Sequence, residues 1–353
     1  MQHVRVPEHT PLTGIARGNN VGFSENDIRP RHLDEGKLAA MREDIDWLRA
    51  RKASFIPVDC PACGSTEHSP AFEKYSFSFA RCASCRTVFM TPRAPEPLLG
   101  EFYARSALYE YWNEHIFPAS RDVRMEKIFR PRVADILELC DRHGVGTGLL
   151  VDAGAASGMF CEEALKSGRF GRVVGVEPGR AQAAACRERG IEVMELPLEK
   201  ISRLAKPADI VTSFETIEHV FAPRDFVRSC RNLLAPGGLL VLTCPNIEGF
   251  DILTLGTDSD SLDAEHINLF TPDSLCRMLE AEGFTIVRRA TPGELDTDIV
   301  HARVRDGKLD LSAQPFLQQL FQMEENAPRR AFQEFLKTAG LSSHLHVAAR
   351  KLP

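Results

Sequence analysis

The residues with the clearest chemical meaning form a loop of small side chains between two apolar segments. The first segment ends at Asp152, the loop runs to Gly158, and a helix then begins. Gly154 and Gly158 let the backbone approach a ligand closely, and a helix N-terminus offers unpaired N–H groups. The second apolar segment ends in Glu177, a position from which an acid accepts hydrogen bonds from both hydroxyls of a ribose. The pattern favours a nucleotide-like ligand site over a tight connection without a ligand.

Four cysteines form a second pattern, which is typical of a metal site. Cys60 and Cys63 make one C-x-x-C pair, Cys82 and Cys85 make another, and 18 residues separate the two pairs. This spacing matches a four-thiolate structural zinc site and favours metal over the alternative of two redox dithiols. Because four thiolates close a tetrahedral site, the zinc would hold a small domain together and take no part in the chemistry.

The tyrosines crowd into one region. All four, Tyr75, Tyr103, Tyr109 and Tyr111, lie within or just after the cysteine module, and Trp112 is adjacent. Aromatic side chains with one polar end are favoured where two surfaces meet, so an interdomain seam is the preferred interpretation. Contact with a substrate is the alternative.

The elements that would position these residues follow from hydrophobic periodicity. Apolar segments alternate with helical patterns, which predicts an α/β fold with a doubly wound, mostly parallel sheet. Strands are expected near 149–152, 172–177, 191–194, 208–214, 238–243, 285–289 and 345–349. Helices are expected over 34–52 and 121–143, and after the N-cap Thr271 as far as Gly283.

The domain organisation follows from the same segments. We expect an N-terminal arm and helix over 1–55, a zinc-binding module with a mixed aromatic connector over 56–118, a core over 119–290, a helical insertion over 291–343, and the last core strand over 344–353. Two helical pieces with apolar faces are predicted within the insertion. Simple packing is their commoner role, and a lid or a homodimer contact is the alternative.

Composition narrows the class of protein. The chain has 353 residues, 43% of them hydrophobic, and a net charge of −6, so it lacks the basic balance that nucleic-acid binding usually requires. No segment approaches the length of a membrane span, and the polar N-terminal 30 residues lack an apolar signal core, so a cytoplasmic location is expected. The remaining six cysteines are expected to be reduced core residues: Cys140, Cys161, Cys186, Cys230, Cys244 and Cys276.

As a set, these motifs resemble the class I S-adenosylmethionine-dependent methyltransferases. The family's first motif reads acid-x-Gly-x-Gly-x-Gly, and here Asp152, Gly154 and Gly158 match it while Ala156 replaces the middle glycine. Residues 208–220 resemble the family's fourth strand, and 233–243, with a Pro-Gly-Gly turn, resemble its helix, turn and fifth strand. The resemblance implies a Rossmann-like seven-stranded sheet and S-adenosylmethionine as cofactor. It implies cofactor contacts by Asp152, Ala153, Gly154, Ala156, Gly158, Glu177, Pro178, Phe214 and Glu215.

Two Glu-His pairs are candidates for proton transfer. A methyl sulfonium is already electrophilic, so such an enzyme mainly aligns the acceptor and, where needed, removes its proton. His219 follows the fourth strand at the ligand edge of the sheet and is a candidate base, with Glu218 orienting it or acting in its place. His266, next to Glu265 after the fifth strand, is a further candidate. A purely structural role is the alternative for both pairs.

The acceptor is narrowed by a closer resemblance. The cysteine module, the core and Glu218-His219 together resemble bacterial sugar C-methyltransferases that act on nucleotide-linked ketosugars. A tyrosine that this subfamily places just before its Glu-His pair is absent, with Thr216 and Ile217 there, so O-methylation of a sugar or natural product stays open. The resemblance implies a small-molecule acceptor, such as a sugar nucleotide. The alternatives are a zinc-ribbon RNA methyltransferase and a cofactor-binding interaction protein without catalytic activity.

Overall fold

The structure is a computed structural model that describes residues 24–352. Residues 1–23 of the predicted N-terminal arm, and Pro353, lie outside the described residues. Within them the strands are β1 (His68–Lys74), β2 (Phe77–Cys82), β3 (Val88–Met90), β4 (Leu149–Ala153), β5 (Arg172–Val176), β6 (Glu192–Met194), β7 (Ala208–Phe214), β8 (Leu234–Pro245), β9 (Asn268–Leu269), β10 (Phe284–Ala290) and β11 (His344–Lys351).

Helices alternate with these strands along most of the chain. They are α1 (Glu25–Ile28), α2 (Asp34–Arg49), α3 (Glu96–Arg105), α4 (Ala107–Tyr111), α5 (Phe117–Arg124), α6 (Arg130–His143), α7 (Met159–Lys166), α8 (Arg180–Glu188), α9 (Pro223–Leu233), α10 (Phe250–Leu255), α11 (Pro272–Ala281), α12 (Asp296–Arg305), α13 (Pro315–Gln322) and α14 (Ala327–Ala339). None of the helices within residues 24–352 is long and apolar enough to cross a membrane.

Seven strands form the larger sheet, in the order β10-β11-β8-β7-β4-β5-β6. The pairs from β8 to β6 are parallel, and β11 runs antiparallel to both of its neighbours. Apolar side chains cover both faces of the sheet: α6, α7 and α8 pack on one face, and α9 and α11 pack on the other. Strands buried on both faces read as continuous apolar runs, which is why this doubly wound sheet could be predicted, and the prediction is confirmed.

The order of the strands determines where a ligand site can form. From β4 the chain proceeds to β5 and β6 on one side, then returns to place β7 on the other side of β4. Ligands of open α/β sheets bind outside the carboxyl ends of the strands at such a reversal. The carboxyl ends of β4 and β7 carry Ala153 and Phe214, so the loops that follow these residues border the expected crevice.

The cysteine module forms a smaller antiparallel sheet in the order β1-β2-β3-β9. Its fourth strand, β9, comes from the segment that follows β8, so the core supplies one strand of this sheet. Phe89 on β3 and the buried cysteines pack with core residues such as Phe226 and Phe270. The two sheets therefore share one apolar interior, a link that the sequence pattern does not predict.

The segment between the module and the core is helical almost throughout. Residues 96–143 run through α3 to α6 with π-helical turns over Trp112–Ile116 and Met125–Phe129, where the sequence predicts a mixed connector as far as residue 118. Pro118 and Pro131 each lie just after a wider π-helical turn, and the helical path continues through both. Ser106 separates α3 from α4, and its hydroxyl donates to buried Asp44 on α2 at 2.6 Å.

Three helices, α12 to α14, lie between β10 and β11. The two pieces predicted from apolar spacing correspond to α13 and α14, while α12 was not predicted. Phe321 and Phe332 pack against Phe250 of α10, with ring centroids 6.1 and 5.1 Å apart. The final strand, β11, begins at the predicted residue 344.

Candidate active site

A large cavity of about 2760 Å³ opens at the carboxyl ends of β4, β7 and β8. Its wall includes the glycine loop, Glu177, both Glu-His pairs, and side chains from α3, α4 and α6. The cavity therefore joins the predicted cofactor residues to the predicted catalytic residues. The four cysteines are not part of its lining.

The glycine loop has the backbone that a close approach requires. Gly154 and Gly158 adopt left-handed φ angles of +84° and +79°. A Cβ at Gly154 would clash with the side chain of Thr216, and one at Gly158 would lie 2.5 Å from Cδ1 of Ile191. Ala156, at the family's middle glycine, also has a positive φ of 47°, so alanine keeps the glycine-like conformation here at some cost in strain.

Glu177 lies where the predicted ribose-binding acid is expected. Its carboxylate accepts hydrogen bonds of 2.8 Å from the backbone amides of Ala156 and Gly179, and Pro178 lines the cavity beside it. Burial raises the pKa of Glu177 above its ordinary value, while these two amides oppose the shift. Each oxygen keeps a lone pair, so the carboxylate can still accept from hydroxyl groups of a ligand.

Asp152, Ala153 and Gly158 lie mostly beneath the loop. The Asp152 carboxylate accepts a 2.7 Å hydrogen bond from the Thr212 hydroxyl, and burial raises the pKa of Asp152 to about 6. Asp152 lines the cavity, whereas Ala153 and Gly158 do not. The carbonyl of Ala153 accepts from Ser213. These residues support the loop, and Gly154 and Ala156 border the cavity.

At the end of β7, Phe214 and Glu215 lie next to a cluster of polar side chains that the sequence does not predict. The guanidinium of Arg132 lies 4.4 Å from the centre of the Phe214 ring and 3.6 Å from Glu215. Nδ1 of His344 lies 3.6 Å from the same carboxylate, and the Thr243 hydroxyl donates to it at 2.5 Å. Burial opposes ionisation, but His344 and Arg132 together hold the pKa of Glu215 below its ordinary value.

Arg132 and His344 were missed for different reasons. Arg132 lies in an amphipathic helix with no motif to mark it. His344 had a topological signal: it opens the antiparallel strand β11 and pairs with Pro245 at the end of β8. The first residue of an antiparallel strand lies at the edge where its parallel neighbours end, so His344 reaches the cavity.

The structure brings together the three predicted catalytic residues. Nε2 of His219 lies 4.0 Å from a carboxylate oxygen of Glu218, and the rings of His219 and His266 have centroids 4.7 Å apart. One carboxylate oxygen of Glu218 and one ring nitrogen of each histidine lie within 4.8 Å of one another. Glu218 is 1% exposed, and neither of its carboxylate oxygens has a hydrogen-bond partner among the described residues.

The protonation of this cluster follows from its burial. Burial and the nearby carboxylate of Glu215 raise the pKa of Glu218 well above its ordinary range, and burial together with His266 lowers the pKa of His219 well below its own. At neutral pH, His219 is therefore an uncharged imidazole. Nδ1 of His266 lies 2.8 Å from the Ser261 carbonyl, which can only accept, so Nδ1 of His266 donates this hydrogen bond.

Two tyrosines complete the wall. Tyr103 packs edge-on against Tyr109 and His219, with ring centroids 5.7 and 6.0 Å away. Its hydroxyl donates to the carbonyl of His219 at 3.3 Å. Burial raises the pKa of both phenols, which stay protonated. Tyr103 and Tyr109 thus face the cavity, whereas the hydroxyl of Tyr111 donates to the carbonyl of Leu33, as expected at a seam between elements.

The four predicted metal ligands converge at one end of the smaller sheet. Sγ of Cys60 lies 3.5 Å from that of Cys85, Sγ of Cys63 lies 3.6 Å from that of Cys82, and all four sulfur atoms fall within 4.8 Å of one another. The other six cysteines are buried and free, as predicted.

Known proteins share the core of this chain. Residues 124–289 match a family model described as a methyltransferase domain. The chain is 33% identical over 102 residues to a ubiquinone biosynthesis O-methyltransferase of Caulobacter sp. (strain K31), an alignment that covers 28% of this chain and 40% of that protein. It is 27% identical over 187 residues to the C-methyltransferase NovU of Streptomyces niveus, which covers 51% of this chain and 41% of that protein.

One solved structure aligns with most of this chain at low identity. The 1,6-didemethyltoxoflavin-N1-methyltransferase of Burkholderia thailandensis superposes with a TM-score of 0.45 and 16% identity, over 81% of this chain and 100% of that one. The sequence alignments span only about two fifths of the relatives' length, 40% and 41%. The family match, the strand order and the glycine loop agree with one another. Residues 124–289 are a class I S-adenosylmethionine-dependent methyltransferase domain.

Proposed function

We propose that this protein transfers a methyl group from S-adenosylmethionine to a small-molecule acceptor, with His219 as the general base. The observation that carries the proposal is that the glycine loop, Glu177 and an uncharged His219 border one cavity. A donor site and a proton acceptor that share one crevice suit alkyl transfer to an acidic O–H or C–H group.

The residues of the loop fit the cofactor. Gly154 and Ala156 expose backbone to the cavity, and Glu177 retains lone pairs for two ribose hydroxyls. Arg132, whose guanidinium lies among Phe214, Glu215 and Asp152, would receive the carboxylate of the methionyl group. When bound, the cofactor supplies an electrophilic methyl group on sulfur.

The proposed catalytic residues then have to remove a proton from the acceptor. As the bond from the acceptor to the methyl group forms and the methyl–sulfur bond breaks, the uncharged imidazole of His219 takes the acceptor's proton. Glu218, held uncharged by its surroundings, would donate a hydrogen bond to an acceptor oxygen or to His219. His266, whose Nδ1 donates to the Ser261 carbonyl, would offer Nε2 as a second proton acceptor in the same cluster.

For the acceptor we propose a sugar nucleotide or a natural-product intermediate, methylated on oxygen or carbon. The similarity to a C-methyltransferase and to O-methyltransferases supports this range. Two neutral phenols and the imidazoles of His219 and His266 in the wall suit a hydroxylated or keto compound that is recognised by hydrogen bonds.

We also propose that the four cysteines hold a structural zinc ion. Zn–S bonds of about 2.3 Å place the sulfur atoms of a tetrahedral site about 3.8 Å apart, close to the 3.5 and 3.6 Å separations found here. Four thiolates leave no open position, so the ion would stabilise the module and take no part in methyl transfer.

The test is a search for labelled product. The full chain is incubated with methyl-labelled S-adenosylmethionine and a pool of nucleotide sugars and small metabolites, and mass spectrometry seeks species with one added methyl group. We expect a labelled small molecule that is absent with Glu177→Ala. Labelling of RNA only, or cofactor binding without any labelled species, would replace the proposal with one of the alternatives raised by the sequence.

A further inference from the structure

The loop that carries Glu218 and His219 is held almost entirely by side chains from elsewhere. Its five consecutive carbonyls, residues 217 to 221, all accept hydrogen bonds from three residues: Asn268, Tyr103 and Arg93. Two of these three side chains come from the segment N-terminal to the methyltransferase domain. The orientation of the proposed base thus depends on parts of the chain outside the cofactor site.

Asn268 is the central contact. Its Nδ2 group donates to the carbonyl of Val220 at 2.7 Å and lies 3.3 and 3.4 Å from those of Ile217 and Glu218. Its backbone amide donates to the Glu218 carbonyl at 3.0 Å. The residue is 0% exposed, so no water replaces these contacts if the amide turns. A buried carbonyl without a hydrogen-bond donor is destabilising, so loss of these contacts favours a shift of the loop.

Arg93 determines which way Asn268 points. Nη1 of Arg93 donates to Oδ1 of Asn268 at 2.8 Å, so the amide must turn its NH₂ group toward the loop. Nη2 donates to the carbonyl of Phe221 at 2.7 Å. Arg93 is 3% exposed, and the two groups that accept hydrogen bonds from its guanidinium are an uncharged amide and a carbonyl. Burying a charge beside uncharged acceptors costs desolvation free energy.

The backbone of Arg93 belongs to the cysteine module. Its N–H and C=O groups each bond to Ile56 at 2.9 Å, and all four cysteines lie between these two residues in the chain. The cluster of sulfur atoms therefore lies within the segment 56–93, whose last residue, Arg93, contacts Asn268. The strand that precedes Arg93, β3, pairs with β9, which contains Asn268 itself.

We propose that Arg93 and Asn268 are positioning residues, through which the cysteine module holds His219 in its working orientation. This rests on the proposed function of His219. The module is then part of the catalytic scaffold as well as a folding unit, because Arg93 orients the side-chain amide of Asn268, which contacts three carbonyls of the loop. Tyr103, through the carbonyl of His219, adds a third contact from the same side.

The test reads the environment of His219 directly. Full-length protein labelled with ¹³C-histidine is studied by NMR, with the His219 signal assigned from His219→Gln, and its titration is compared among Arg93→Met, Arg93→Lys and Asn268→Asp. Asn268→Asp keeps an acceptor for Arg93 but removes the donor to the loop. We expect both Arg93→Met and Asn268→Asp to move the His219 signal and its titration midpoint, with partial return in Arg93→Lys.

Arg86→Met is the matched control. Arg86 lies in the same module, but its guanidinium is exposed and pairs with Glu248 at 2.7 Å, so the His219 signal should stay in place. Calorimetry with S-adenosylhomocysteine should show unchanged cofactor affinity in every variant, whereas the turnover number on an identified acceptor falls about 10- to 100-fold in Arg93→Met and Asn268→Asp.

An unmoved His219 signal in folded Arg93→Met and Asn268→Asp would overturn the proposal. If Arg93→Met does not fold, as judged by thermal unfolding, Asn268→Asp and Arg93→Lys decide the question by the same signal. The NMR result needs no acceptor. A protein in which the signal moves but no substrate is ever methylated would separate failure of the proposed function from failure of the coupling.

Discussion

Oε2 of Glu177 accepts a 2.8 Å hydrogen bond from the backbone amide of Ala156. Glu177, which follows β5, thus supports the loop that follows β4. The residue that it contacts, Ala156, is the one that replaces the family's middle glycine. Because Ala156 has a positive φ, this hydrogen bond offsets part of the strain of holding a Cβ there. Loop shape and the proposed recognition of the ribose therefore depend on the same carboxylate.

Replacing this carboxylate should remove cofactor binding. Glu177→Ala loses both the ribose acceptors and the support of the Ala156 and Gly179 amides, and we expect the affinity for S-adenosylhomocysteine to fall by about 100-fold or more in titration calorimetry. Glu192→Ala is the control, since Glu192 is an exposed acid on the adjacent strand β6. Unchanged affinity in Glu177→Ala would contradict the assignment of the site.

The sequence predicts the core well because its signals are local. Apolar runs of strand length, the glycine loop and the two C-x-x-C pairs each depend on neighbouring residues, and the structure places all of them as expected. Arg93 and Arg132 carry no such signal, because each acquires its role only when distant segments meet. Arg93, for example, meets Asn268 across 175 positions in the chain.

The helices before the core include structure that the sequence does not predict. The sequence predicts a helix over 121–143 but only a mixed connector as far as residue 118. A proline ring usually interrupts a helix, but a π-helical turn lies before Pro118 and before Pro131, and the helical path continues through both. Local propensity alone cannot foresee this accommodation. The consequence concerns function, because this helical path brings Tyr103, Tyr109 and Arg132 to the cavity.

Removing one cysteine ligand should release the metal and weaken the fold. We expect wild-type protein to contain about one zinc ion per chain by atomic emission, and Cys82→Ser to contain little, with the melting temperature lowered by about 5 °C or more. Cys276→Ser, a change at a buried cysteine outside the cluster, should keep its zinc. Wild-type protein without zinc, or full zinc in Cys82→Ser, would refute the proposed metal site.

Asp251 should make the protein less stable as pH rises. Burial and the nearby carboxylate of Asp296 raise the pKa of Asp251 to about 8, and its Oδ1 has no hydrogen-bond partner among the described residues. An unfolded aspartate titrates near pH 4, so between about pH 4 and pH 8 the folded state keeps a proton that the unfolded state has released. The unfolded state binds fewer protons in this window, and stability therefore falls with increasing pH.

Asp251→Asn removes this dependence because the amide stays uncharged. Its stability relative to wild type should increase by about 1.4 kcal/mol per pH unit between about pH 5 and pH 8, as measured by urea unfolding. Asp225→Asn, at an exposed carboxylate on α9, should show no such trend. A difference between Asp251→Asn and wild type that stays constant across these pH values would rule out the buried proton.

His219 is the side chain on which methyl transfer should depend most. Its imidazole is uncharged and faces the cavity, so His219→Ala should leave the calorimetric affinity for S-adenosylhomocysteine intact and lower turnover on an identified acceptor by about 10²- to 10⁴-fold. Glu218→Gln is the informative companion, because the amide resembles the uncharged acid that burial enforces and should retain much of the activity. If His219→Ala keeps full turnover and His266→Ala does not, Nε2 of His266 is the base instead. That outcome would leave His219 as the group that packs against the base, since their rings lie only 4.7 Å apart.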